Sequence, residues 1–155
     1  MGTIVVGIDG SEGSRAALRF ALDEARVRKA TLRVVHSWLL PVADAAPDPF
    51  LLEFPAYAGP DLEELAGSLE EAAQGMIDSE LERVLGQRQP GVEIERVPLE
   101  GAPAAALVDA SQGAELLVVG SRGHGTLRGL VLGSVSKHCV SHAPCPVAIV
   151  PHAES

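Results

Sequence analysis

Apolar residues run almost unbroken through residues 3–9 (TIVVGID) and are rich in β-branched side chains, which predicts a short strand buried on both faces. The spacing then changes. Over residues 10–30, Ala17, Leu18, Ala21, Leu22 and Ala25 share one face of a helix and the charges take the others. Residues 31–38 (TLRVVHSW) return to a strand pattern. Between 41 and 60 five prolines break every period, so a long irregular loop is expected, acidic through Asp44, Asp48 and Glu53 and acting as a mobile flap. Helical spacing resumes over 61–88, with Leu62, Leu65, Leu69, Ala72, Ala73 and Met76 as the expected inner stripe. Residues 92–97 (VEIERV) alternate apolar and charged positions, the pattern of a strand with one wet face, read as an edge. A short helix over 102–113 has Pro103 in its first turn and Gly113 as its stop. A fully buried strand (115–120, ELLVVG), a glycine-rich loop, a helix over 134–142 and a last strand (146–150, PVAIV) complete the chain.

Strict alternation of strands and helices predicts an α/β fold: one open, five-stranded parallel sheet with helices on both faces, Rossmann-like, with right-handed crossovers. With the alternating third strand at one edge, the strand order is 3-2-1-4-5. The whole chain, 1–155, is read as a single domain. In such sheets ligands bind beyond the carboxyl ends of the strands where the order reverses, here between the first and fourth strands. Asp9, Ser37 and Gly120 end the strands that border this crevice.

Composition narrows the ligand. Aromatic residues are only 3%, so the core must be built from Val, Leu, Ile and Ala. A formal net charge of −9 argues against nucleic acid and anionic membrane as partners, because both need a positive field. A small polyanion would have to be held by local donors. The N-terminal segment has no basic region ahead of its apolar run, no stretch approaches the length of a membrane span, and two cysteines do not make a disulfide framework. A cytoplasmic protein is expected.

The loop after the fourth strand carries glycines at 120, 123, 125, 129 and 133. It is not a Walker A loop, since Gly129 and Gly133 enclose three residues and no lysine precedes Ser134. The dinucleotide fingerprint is also excluded at the first turn, where Gly7, Gly10 and Gly13 have the wrong spacing. The pattern Gly120-x2-Gly123-x9-Gly133-Ser134 fits an anion cradle: backbone N–H groups converge on an oxyanion at the start of a helix whose dipole favours negative charge. Ser134 and Ser136 would add hydroxyls and Arg122 a guanidinium. The plainer reading has Gly120 and Gly123 making a turn and Ser134 serving as the helix N-cap.

With these segments in view, the chain resembles the universal stress protein family, in its ATP-binding branch. The likeness runs through VVGIDGS at the first turn, VVHSW ending the second strand, GSRG through GSVS in the loop, and HAPCPVAIV at the end. The resemblance implies an adenine nucleotide, ATP with Mg2+ carried by its phosphates. Asp9 and Ser37 match the adenine and ribose end, while Gly120, Ser121, Gly123, Gly133 and Ser134 match the loop around ribose and phosphates. Gly7, Arg122, Val135 and Ser136 match their neighbours. Serine at 37 departs from the apolar residue frequent there in the family. The resemblance also implies a homodimer paired through the last strand, which would otherwise be an exposed apolar edge.

Other side chains compete with this reading. Asp9 has a competing role as a helix cap, and His36 reads as a packed or hydrogen-bonded histidine. His138, Cys139, His142 and Cys145 are disfavoured as a zinc site, because Cys139 lies off the face that His138 and His142 share. No catalytic residue is assigned, since no triad, carboxylate pair or oriented base accompanies the loop. A nucleotide-binding regulatory module with little or no turnover is therefore expected in a stress-response role, and a slow ATP hydrolase or phosphoryl-transfer enzyme on the same site is the alternative.

Overall fold

The computed structural model describes residues 2–40, 61–121 and 132–152. The elements run β1 (Thr3–Gly7), α1 (Glu12–Arg28), β2 (Thr31–Trp38), α2 (Leu62–Leu85), β3 (Ile94–Glu100), α3 (Pro103–Ala110), β4 (Leu116–Gly120), α4 (Ser134–His142) and β5 (Val147–Val150). All strand pairs are parallel and the order is β3-β2-β1-β4-β5, as the alternation predicted. The expected flap at 41–60 lies outside the described residues, as do Arg122 and Gly123.

Side-chain alternation along the strands divides the interior into two layers. Ile4, Val6, Leu32, Val34, Leu116 and Val118 face the apolar stripes of α1 and α2. Val5, Val35, Leu117 and Val119 face the opposite way, against Leu107 of α3 and Cys139 of α4. The alanines of α1 allow that helix to lie close on the sheet: Ala17, Ala21 and Ala25 are fully buried. Ser11 caps α1, and Lys29 ends it in the left-handed conformation at φ 54°.

Two expectations need correction. The buried stripe of α2 is Ala73, Ile77, Glu80, Leu81 and Val84, while Leu62 and Ala72 are exposed and Leu65, Leu69 and Met76 only partly covered. At 24 residues α2 is about 36 Å long, whereas an eight-residue strand spans about 26 Å, so the first turns of the helix overhang the sheet. The third strand begins and ends later than its alternation indicated, at Ile94–Glu100, and includes Pro98. Proline is tolerated because β3 is an edge strand. No described helix is long and apolar enough to cross a membrane.

Candidate functional site

The sheet register aligns three strand ends. Gly7 is paired with Val35 and Val6 with Val118, so the strand ends that lead to Ser37, Asp9 and Ser121 lie side by side at the carboxyl edge. Ser37 lies in β2, while Asp9 and Ser121 follow the last residues of β1 and β4, which flank each other in the sheet. This is the switch point: the chain leaves β1 toward β2 on one side, and β4 enters on the other. Gly7 sits just inside the row. A Cβ there would lie 2.6 Å from Cδ1 of Leu107, so packing against α3 accounts for this glycine.

The turn between β1 and α1 is held together by its own side chains. Asp9 Oδ1 accepts from the Ser11 N–H at 2.9 Å and from the Ser11 hydroxyl. Ser11 Oγ in turn accepts from the Ser14 N–H at 3.2 Å, which makes Ser11, and not Asp9, the N-cap of α1. Ser14 Oγ donates to the Ser11 carbonyl and accepts from the Asp9 N–H. Gly10 has φ +83°, a conformation that other residues rarely adopt.

Across the switch point, Ser121 forms a neck. Its N–H donates to Val150 in β5, and its carbonyl accepts from the Gly133 N–H at 2.8 Å and from the Ser136 hydroxyl at 3.1 Å. The same hydroxyl, on a residue only 2% exposed, also reaches the Gly133 carbonyl at 3.0 Å. Ser136 thus fastens the start of α4 to the end of β4, a task the glycine spacing did not reveal. Gly133, not Ser134, is the N-cap, at φ −68° and ψ 169°. Those angles are open to any residue, so a left-handed backbone is not the reason for glycine here. No side chain caps α4, and among the described residues no acceptor meets the N–H groups of Ser134, Val135 or Ser136.

His36 Nδ1–H donates to the Ile8 carbonyl at 2.9 Å, the hydrogen-bonded role read from the sequence. His138 and His142 stack with ring centroids 4.1 Å apart, and His142 Nδ1–H donates to the His138 carbonyl. Among the described residues no three His, Cys, Asp or Glu side chains converge as metal ligands. Cys139 and Cys145 are free thiols. Burial pushes Cys139 up from its ordinary value, with Cys145 adding to the rise. Burial also raises Cys145, against hydrogen bonds from Ser111 and Leu117 that lower it.

The sequence reading missed Arg15 and Glu80. Glu80 is 3% exposed, and its Oε2 lies 2.9 Å from Arg15 Nε. Arg15 Nη2 also donates to the Gly10 carbonyl at 2.9 Å, against the back of the Asp9 turn. The available signal was a charge at position 80, in step with the apolar positions 73, 77, 81 and 84.

Residues 1–151 match the family model described as the universal stress protein family. The chain belongs to that family. A universal stress protein of Mycobacterium tuberculosis is 36% identical over 149 residues, covering 94% of this chain and 44% of the relative. The chain thus spans less than half the length of the curated relatives it matches. Among solved structures, a universal stress protein in complex with cAMP is 29% identical with a TM-score of 0.61, over 96% of this chain and 95% of that one. The universal stress protein of Archaeoglobus fulgidus in complex with dAMP is 27% identical with a TM-score of 0.55, over 97% of this chain and 98% of the other.

Proposed function

We propose that this universal stress protein binds one adenine nucleotide per chain at the carboxyl edge of β2, β1 and β4, acting as a regulatory module with little or no turnover. The observation that carries the reading is the glycine-capped N-terminus of α4. Its first N–H groups, which meet no acceptor among the described residues, are tied by the Ser121 neck to the switch point, beside the turn that holds Asp9. Such a terminus favours an anion through both its donors and its dipole. Two structural relatives were solved with adenine nucleotides, which favours the same ligand class here.

In this reading Asp9 and Ser37 meet the adenine and ribose end. Gly120, Ser121, Arg122, Gly123, Gly133, Ser134, Val135 and Ser136 surround ribose and phosphates, and Gly7 supports the floor. Ser136 contributes its backbone N–H, because its hydroxyl proton is directed at protein carbonyls. ATP is the proposed ligand, with Mg2+ carried by the phosphates. The protein acts as a cytoplasmic homodimer through residues 146–150: β5 ends the sheet, and its apolar sequence VAIV has no charge or proline to blunt the edge.

Calorimetry with AMP and with ATP, with and without Mg2+, tests the site. One nucleotide should bind per chain, Mg2+ should strengthen ATP far more than AMP, and ADP should not accumulate. Trp38, the only tryptophan, lies one residue beyond Ser37 and provides a fluorescence signal for the same titration. No heat and no thermal shift at millimolar nucleotide would overturn the reading, and steady ADP release would favour the hydrolase. Light scattering on the same sample should give twice 16.1 kDa.

A further inference from the structure

Glu80 is the one charged residue in the buried stripe of α2. A carboxylate there needs a partner, and the Arg15 guanidinium supplies it at 2.9 Å, with Arg83 3.7 Å from the other oxygen. The Arg15 fork does a second thing. Its Nη2 holds the Gly10 carbonyl at 2.9 Å. That carbonyl belongs to the same peptide unit as the Ser11 N–H, which donates to Asp9 Oδ1 at 2.9 Å. One amide plane is therefore gripped at both ends, by Arg15 on its oxygen and by the Asp9 carboxylate on its nitrogen. Turning that plane would release either grip, and Gly10, at φ +83°, is the residue with the freedom to turn it.

We propose that Arg15 and Glu80 are positioning residues for the nucleotide site: the ion pair fixes the Gly10–Ser11 peptide, the peptide aims the Asp9 carboxylate, and nucleotide affinity thereby depends on helix α2. The proposal rests on the nucleotide-binding reading above. It runs through a continuous series of contacts, from Glu80 to Arg15 to one amide to Asp9, and two polarised hydrogen bonds on a single amide reinforce each other. Arginine is needed because only its planar fork places donors on Glu80 and on Gly10 together. Lysine carries all its donors on one nitrogen and lacks the rigid fork that reaches the two acceptors from separate nitrogens.

The test measures AMP affinity by calorimetry and stability by urea unfolding in the full chain and three variants. Arg15→Lys keeps the charge opposite Glu80 and should weaken AMP about tenfold, the scale of one lost charge-assisted hydrogen bond. Glu80→Gln should weaken it in the same direction. Val84→Ala, further along the same buried stripe, should lose stability and keep wild-type affinity. Arg15→Lys that folds and binds AMP as wild type overturns the brace, and so does Val84→Ala that loses affinity as Arg15→Lys does. Hydrogen exchange on the wild-type chain needs no variant to fold: AMP should slow exchange at 11–15 and at 77–84 together, and an unchanged α2 overturns the coupling. A wild-type chain that binds no AMP instead fails the nucleotide reading itself, and that titration is run first.

Discussion

The β1–α1 turn directs its polar groups inward, whereas the β4–α4 neck closes on itself and leaves its helix uncapped. In the first, Ser11 caps α1 and the Asp9 carboxylate is tied to Ser11, with Ser14 completing the ring. In the second, Gly133 stands at the capping position, where it has no side chain to offer. Both helices begin at the same crevice, so the difference is one of task. A helix start satisfied by its own serine gains rigidity and has fewer donors left for a ligand. A helix start capped by glycine keeps its donors for an incoming anion.

The strongest way to break this contrast is to give α4 a side-chain cap, which α1 has and α4 lacks. Gly133→Asp meets no backbone strain at φ −68°, and a carboxylate there would occupy the α4 donors and repel phosphate. Nucleotide affinity should fall by about a hundredfold, about 2.7 kcal/mol, while stability rises by about 0.5 kcal/mol. Calorimetry and thermal melts on one sample would reveal the opposite signs, and unchanged affinity would put the phosphates elsewhere. Gly133→Val, without a cap, should also lose nucleotide and remain folded.

A smaller effect is expected in the other connection. Gly10→Ala forces a left-handed alanine and brings its Cβ to 3.3 Å from Met76, which should cost about 2 kcal/mol in a urea titration. Smaller again is the exchange of caps: Ser11→Ala should cost about 1 kcal/mol, while Ser134→Ala, whose hydroxyl caps nothing, should leave the midpoint where it was. Equal losses at Ser11 and Ser134 would mean that the two helix starts do not differ as described.

Much of the architecture was legible because burial imposes periods that the chain must obey. The continuous β-branched run after Thr3 and the alternation around Glu95 separated a central strand from an edge, and with them the order of the sheet. The spacing from Gly120 to Gly133 pointed to the segment between β4 and α4 as the candidate cradle, since few uses need glycines at both ends of a loop. What stayed hidden were relations between distant residues. The reason for Gly7 is Leu107 of α3, a hundred positions away. Glu80 reads as one more surface acid until Arg15 is seen against it. Ser136 reads as a ligand hydroxyl until its two carbonyl partners are in place, and the cap of α4 is Gly133 and not Ser134 because glycine leaves no capping signature.

The neck at Ser121 also bears on how such proteins diversify. Ser121 and Gly133 are joined by a hydrogen bond, and Ser136 locks that point from inside α4, so the end of β4 and the start of α4 are held to each other directly. A chain segment whose flanks are fixed to each other tolerates changes of length at little cost. Doubling its length adds only about 0.6 kcal/mol of closure entropy, and nothing inserted there needs to alter the register of β4 or the start of α4. Sequence between the two fixed ends can therefore change while the sheet beneath goes on folding by the same rules.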